Sequence, residues 1–475
     1  MLPANEPGSH VSTSLPPAHV SGSLAEGGAL GSTWTPTLPP ELATRAMGVA
    51  RDVAQRLGDP QRVALAISAA PKQTAYPRTV GWQPQGLAQG DAGLALSCSY
   101  LDACFPHERW DRISHSYLAV AAEAAERSTY SSTSLFGGLA GLAFAASSLS
   151  RGGTRYQRLL ATLDDALLGQ IAGQTDNLAR VMTKGVAFGE FDAVSGLAGV
   201  GAYLLNRPSN PAAAQALRAL LCSLVALARC DAGLPRWWTP AHLMGNEETA
   251  ALYPYGNLNC GLAHGIPGPL ALMALALSNE VRVEGLQEAV DGLAKWLIRY
   301  QAEDAWGVNW PYAVSLTAEG LPESADVMRA GSRAAWCYGA PGVARALWLA
   351  GVCRGRPEWR ELAIEAMAAV YRRPLANRQI DSPTFCHGVA GLLQATLRFA
   401  NETQLPMFAD AAVDLVEWLL SAYEPDSIMG YRNWEPGGTR VDQPGLLEGA
   451  AGVLLTLLAA ATDIEPSWDR AFLLA

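Results

Sequence analysis

One short phrase recurs seven times in this chain and constrains its fold more than any other feature. It is a Gly-x-x-Gly turn that runs straight into an apolar segment. The copies start at Gly90, Gly138, Gly196, Gly265, Gly339, Gly388 and Gly449, 48 to 74 residues apart. Periods of this size mark an array of one supersecondary unit whose copies bury one another's apolar faces. The spacers hold a second, more charged helical pattern, as in DRISHSYLAVAAEAAERS, EGLQEAVDGLAKWLIRYQAE and EWRELAIEAMAAVYRRP. The glycine-led segments are apolar nearly all round and belong inside. The spacer helices keep a polar face and belong outside. Seven alternations predict an all-α fold, a double-layered α/α toroid (barrel) of seven helical pairs with about fourteen helices. An open solenoid is the alternative, but seven copies without polar capping repeats favour closure.

The first glycine of each copy is expected to let the backbone turn sharply before the helix. Small residues through the turn let the inner helix N-termini converge on one cavity. Their positive dipole ends suit it to a thiolate, an enolate or another anion. Residues 1–39, rich in Pro, Ser, Gly and Thr, read as a disordered N-terminal arm, and residues 40–475 as the toroid. Only 16% of the chain is charged, against about 25% for an average soluble domain. The net charge of −10 argues against a strongly basic nucleic-acid binder. No apolar run reaches the ~20 residues that span a bilayer, and the N-terminus carries no signal-peptide pattern. A cytoplasmic protein is expected, in which the eight cysteines serve the core, a metal or catalysis rather than disulfides. Three tryptophan-rich spacers, 234–243, 306–316 and 431–438, read as short hairpins over the mouth of the toroid. They serve either as plugs of the core or as a peptide-binding rim. The rim reading gives Trp238 and Trp310 to a bound peptide.

Most copies carry apolar or neutral residues just before the first glycine, and three consecutive copies break that rule. They read Ala263-His264-Gly265, Trp336-Cys337-Tyr338-Gly339 and Phe385-Cys386-His387-Gly388. In a closed ring these turns are neighbours and face the same end of the cavity. Cys337, Cys386 and His387 form a Cys₂His set. Three protein ligands with an open fourth position is the pattern of catalytic zinc, and no second Cys pair exists to close a structural site. A thiol entering such a site is deprotonated and becomes a nucleophile. His264, one repeat earlier, is the expected proton manager. Asp192, four residues before Gly196, reads either as a helix cap or as the partner that orients His264. Arg333 is a candidate to stabilise a developing enolate oxygen.

GLAHGIPG (261–268), SRAAWCYGAPG (332–342) and FCHGVAGLL (385–393), in this order, resemble the lanthipeptide (lantibiotic) cyclases of the lanthionine synthetase C type. The resemblance covers about residues 40–475. It implies a toroid of seven helical pairs and one Zn²⁺ held by Cys337, Cys386 and His387. It implies His264, Asp192, Arg333 and Tyr338 as the acid/base and positioning set, with Asp192 carried on the looser match FDAVSGLAG. The implied activity is intramolecular addition of cysteine thiols to dehydroalanine or dehydrobutyrine in a dehydrated precursor peptide, which forms thioether rings. Implied partners are that peptide, a lanthipeptide dehydratase and an export transporter. The implied location is the cytoplasm or the periphery of the membrane in a biosynthetic complex. Three other readings stay open. One is a prenyltransferase β-subunit, another zinc toroid, against which the Cys-His adjacency argues. The others are a glutathione-handling lanthionine-synthetase-C-like protein and a zinc scaffold without catalysis.

Overall fold

The computed structural model describes residues 33–77, 79–128, 132–327 and 330–475. Two helices lead, α1 (Pro40–Leu57) and α2 (Pro60–Gln73). Asp59 caps the second by accepting from the Gln61 amide at 2.9 Å, and Pro60 fills its first position. Inner and outer helices then alternate. The pairs are α3 (Asp91–Cys104) with α4 (Trp110–Arg127), α5 (Leu139–Ser148) with α6 (Gln157–Val181), and α7 (Leu197–Leu205) with α8 (Pro211–Leu227). After the short α9 (Glu247–Leu252) come α10 (Pro267–Ser278) with α11 (Leu286–Arg299), α12 (Ala340–Cys353) with α13 (Pro357–Arg372), and α14 (Val389–Thr403) with α15 (Pro406–Ser421). The seventh inner helix, α16 (Ala450–Ala461), takes its outer partner from the start of the chain, α1. Helix α16 also packs on α3, so the ring closes. The expected all-α toroid of seven pairs is the observed architecture, and its last pair joins the two ends of the described chain.

The seven turns are stitched into a circle by the backbone. In six of them the residue two before the first glycine donates its amide to the next turn, and in the third the donor is Ala193, three before Gly196. Ala88 donates to Phe136 O at 3.0 Å and Phe136 to Val194 O at 3.3 Å. Ala193 then donates to Ala263 O, Ala263 to Cys337 O, Cys337 to Cys386 O and Cys386 to Leu447 O, at 2.9–3.3 Å. Leu447 returns to Ala88 O at 3.1 Å. No buried amide on this circle is left without a partner, which fixes each turn relative to its neighbours.

The glycines are needed for a different reason from the one expected. Gly90, Gly138, Gly196, Gly388 and Gly449 hold extended, negative-φ backbone that any residue adopts. They are glycine because the turn folds back on itself. A Cβ on Gly138 would fall 2.1 Å from Ser132 O, and one on Gly141 2.0 Å from Leu135 O. Only Gly339, at φ +90°, uses the left-handed freedom.

Two chain ends complete the core. Residues 1–32 of the expected arm lie outside the described residues, but residues 34–38 are packed rather than free. Trp34 is buried, and its indole N–H donates to Ala459 O at 2.9 Å. The C-terminal segment enters the ring beneath the turns. There Phe472 packs on Phe136, Trp336 and Phe385 with ring centroids 4.0–5.3 Å apart. Asp469 meets Arg398 at 2.6 Å and Gln394 at 2.7 Å in the interior. The interior below the turns is therefore filled.

Of the expected hairpins only the third forms in place, Arg432–Trp434 with Arg440–Asp442; the others sit earlier in the chain, at Cys230–Asp231 with Leu234–Pro235 and Ala302–Asp304 with Gly307–Asn309, while Ala313–Ser315 pairs with Asn257–Asn259 instead. Of the two tryptophans that the rim reading named, Trp310 does not reach a rim. Trp310 is fully buried and donates to Leu297 O at 2.8 Å, so it is a core plug. Trp237 packs edge-on against Trp296, and Trp238 is half-buried against the backbone near Gly185 and Gly256. A large indole that finds a backbone acceptor gains more inside than on a rim.

Candidate functional site

The site lies on the arc of the circle formed by turns three to seven. Asp192 sits on the third turn, fully buried. One carboxylate oxygen, Oδ1, accepts from the amides of Val194, Ser195 and Gly196 at 3.1, 2.6 and 2.8 Å. The other, Oδ2, lies 2.6 Å from His264 Nδ1. Asp192 is the histidine partner but not the helix cap: the cap position of α7 is Gly196, without a side-chain cap, and Asp192 holds the amides of the turn ahead of it. Its buried charge is met by three amides on one side and an imidazole on the other. The bond to Nδ1 places the Nδ1 proton toward the carboxylate and leaves Nε2 as the ring nitrogen that Asp192 does not engage. Phe188 walls the ring at 5.1 Å between centroids, and Tyr338 lies at 6.5 Å. The imidazole remains about one-third exposed, so it is held but reachable.

The fifth and sixth turns bring two thiols together. Cys337 is buried, Cys386 half-buried, and their side chains share a hydrogen bond. That bond, supported by the Arg333 charge and opposed by burial, pulls the Cys337 thiol down. The same bond and burial push Cys386 up. His387 is pushed down to about 4 by burial and by Arg333, which keeps its imidazole neutral and its lone pair free. A ring nitrogen of His387, Cys386 Sγ and a carboxylate oxygen of Glu448 all lie within 4.8 Å of one another. Cys337 touches Cys386 but lies outside this compact group, so the expected set of Cys337, Cys386 and His387 is not itself gathered within that distance.

Arg333 and Tyr338 stand beside the thiols. Arg333 Nε donates to Tyr312 Oη at 3.2 Å, and its guanidinium is half-buried. The Tyr338 hydroxyl accepts from Asn259 Nδ2 at 3.0 Å, while Asn259 Oδ1 takes the Gly261 amide at 2.9 Å. Burial raises the Tyr338 phenol far above its ordinary range, so it stays protonated. Tyr312 and Tyr338 pack at 5.1 Å.

All seven residues singled out in the sequence fall on this arc. Sequence reasoning missed four neighbours. Glu448 was legible, because it precedes Gly449 as His264, Tyr338 and His387 precede theirs, and it is charged. Burial, with repulsion from Glu435, pushes its carboxyl up to about 7. Asn259, Tyr312 and Phe188 lie outside the repeated phrase and carry no such signal.

A family profile described as "Lanthionine synthetase C-like protein" matches residues 81–473. The nisin biosynthesis protein NisC of Lactococcus lactis subsp. lactis is 26% identical over 353 residues, covering 72% of this chain and 77% of that protein. A solved structure titled nisin cyclase superposes with a TM-score of 0.70 at 22% identity, covering 83% of this chain and 93% of the other. At that identity the superposition speaks for the fold alone.

Proposed function

The chain belongs to the lanthionine synthetase C-like family, and from that premise we propose that it is a zinc-dependent lanthipeptide cyclase. Its reaction is the addition of a peptide's own cysteine thiols to dehydroalanine or dehydrobutyrine, giving lanthionine and methyllanthionine rings. The observation that carries this reading is the placement of two contacting thiols and a neutral imidazole next to a buried Asp–His pair, on adjacent turns of one ring.

The residues fit the metal. Two thiolates and an imidazole are the donors zinc takes in sites that keep a coordination position for substrate. Cys337, Cys386 and His387 would hold it. When bound, zinc lowers the pKa of a substrate thiol and so makes it nucleophilic at neutral pH. The rest falls to the chain's own side chains. The substrate sulfur adds to the β-carbon of the dehydroamino acid, and negative charge moves to the adjacent carbonyl oxygen. The Arg333 guanidinium and the protonated Tyr338 hydroxyl are the donors on hand for that oxygen. His264, held by Asp192 through Nδ1, delivers a proton from Nε2 to the α-carbon. Asp192 offsets the charge of the imidazolium before transfer. One proton leaves the sulfur and one arrives at carbon, so the peptide's mass does not change.

The substrate class fixes the partners. A dehydratase must act first on Ser and Thr of the precursor, and the finished peptide requires export. Thiol ligands and a thiol substrate suit a reducing cytoplasm. Among the described residues, no helix is long and apolar enough to cross a membrane.

The test is incubation of the zinc-loaded protein with a dehydrated, cysteine-bearing precursor. Because ring closure is mass-neutral, it is read as loss of alkylatable thiols by mass spectrometry. A protein that binds zinc yet leaves every thiol alkylatable at the rate of a no-enzyme control is not a cyclase of that peptide. Consumption of added glutathione instead would favour the glutathione-handling reading.

A further inference from the structure

The donors offered to the carbonyl oxygen are steadied from outside the ring of turns. Asn257–Asn259, ahead of the fourth turn, pairs antiparallel with Ala313–Ser315, ahead of the fifth, and Asn259 stands opposite Ala313. The Cys260 amide extends this ribbon by donating to Tyr312 O at 3.0 Å. Asn259 and Tyr312 thus leave the ribbon's end side by side, each against one donor. Asn259 Nδ2 donates to Tyr338 Oη at 3.0 Å, and Tyr312 Oη accepts from Arg333 Nε at 3.2 Å. The backbone carbonyl of Asn259 takes the Ile266 amide at 3.2 Å, and its Oδ1 takes the Gly261 amide at 2.9 Å. The residue is therefore tied to both sides of the turn that carries His264. Those ties leave the side-chain amide one orientation: with Oδ1 taken by Gly261, the NH₂ must face Tyr338. The phenol oxygen is the acceptor in that bond, and among the described residues nothing accepts the phenol's own proton. A Cβ on Gly261 would fall 2.5 Å from the Tyr338 ring, so only glycine lets the ring sit this close.

We infer that Asn259 is a positioning residue of the addition: by donating to Tyr338 it leaves the phenol proton to the carbonyl oxygen on which negative charge develops. The inference rests on the cyclase reading above. No bond forms or breaks at Asn259. Its amide settles beforehand which way a neighbouring O–H points, and a donor aimed before charge develops costs no reorganisation at the moment of reaction. A phenol without this partner is free to turn and donate elsewhere. The spacer ribbon, which is no part of the repeat, thereby acts on the chemistry of the turns.

The test follows ring closure on a dehydrated precursor by thiol alkylation, with kcat, KM and zinc content measured for each full-length variant. Asn259→Leu keeps the volume, carries no charge and cannot donate. It should lower kcat about ten-fold, at a KM within about two-fold of wild type and with full zinc, since losing an oxyanion donor outright costs about 10²–10³-fold. Tyr338→Phe should lower kcat by about that larger factor. In the Tyr338→Phe background, Asn259→Leu should cost less than about two-fold, because no phenol proton is left to aim. Asn259→Asp still accepts the Gly261 amide but draws the phenol proton toward its own carboxylate. It carries the same comparison if Asn259→Leu does not fold. Wild-type kcat in the Asn259 variant, or an equal loss with and without the Tyr338 hydroxyl, overturns the inference and leaves Asn259 a residue of the fold. A wild-type protein that closes no ring at all would instead sink the cyclase reading, and the inference with it.

Discussion

The ring of turns has two arcs on one backbone. Just before their glycines, turns one to three carry Ala88-Gln89, Phe136-Gly137 and Val194-Ser195. Turns four to seven carry Ala263-His264, Cys337-Tyr338, Cys386-His387 and Leu447-Glu448. The amide-to-carbonyl stitches run through both arcs at 2.9–3.3 Å. The close approach of the second glycine is also common to both, with a Cβ on Gly141 and one on Gly391 each falling 2.0 Å from a carbonyl oxygen. What differs is two side chains per turn. The comparison teaches that the backbone ring is a neutral carrier. It can be damaged in either arc, whereas the chemistry gathers on turns four to seven, with Asp192 the one member that turn three contributes.

The strongest break should come from the thiols. Cys386→Ala should bind little zinc and slow cyclisation by about 10³-fold or more, since the metal supplies several kcal/mol of stabilisation. Zinc stoichiometry and the thiol-alkylation assay read this directly, and full zinc content in the variant would refute the ligand assignment. Next, His264→Ala should keep its zinc and lose about 10²–10⁴ in rate. Ser195→Ala, in the same register of the other arc and exposed, should change the rate less than about two-fold. Equal rates for both variants would mean that the arcs do not differ as described.

A third experiment attacks what the arcs share. Gly141→Ala and Gly391→Ala each drive a methyl into a backbone carbonyl. Each should destabilise the fold by about 1–3 kcal/mol or more in urea titrations, irrespective of arc. A loss confined to Gly391→Ala would tie the close approach to the site rather than to the ring. Trp34→Ala should cost about 3 kcal/mol, because it empties a buried indole site against α14 and α16. Truncation of residues 1–32 alone should leave urea stability nearly unchanged, as expected for a segment without apolar periodicity.

The smallest effect concerns cysteines away from the ring. Cys222 is exposed on α8, while Cys98 is buried in α3 with its thiol pushed up to about 12 by burial. At pH 8 in the native protein, iodoacetamide should label Cys222 and spare Cys98. Because the folded pKa of Cys98 is raised, its protonated form is the stable one, and its labelling should rise only as pH approaches that value or the fold opens. Labelling of Cys98 at the rate of Cys222 would show that the inner helices breathe.

The repeat made the toroid legible, since the phrase that starts each inner helix is local and each copy can be read alone. The same register marked the thiols and both histidines, because side chains at one offset from equivalent glycines must share one end of a ring. Glu448 was within reach of that argument by the same offset. Asn259, Tyr312 and Phe188 were not, because each reaches the site from a spacer of its own.

The alternation of apolar and amphipathic helices, the glycine phrase and the donor residues at its offsets were thus determined by sequence, through short-range periodicity and backbone geometry. The tertiary structure decided the rest, all of it dependent on contacts between distant segments. It joined the last inner helix to the first outer one and packed Trp34 against Ala459. It filled the barrel with Phe472 and turned Trp310 inward to a backbone acceptor. It gave Asp192 both a turn-holding and a histidine-holding role, because its two oxygens face different turns. Such choices follow from which buried surface and which unpaired polar atom lie nearest once the ring has closed, and no local stretch of chain encodes that.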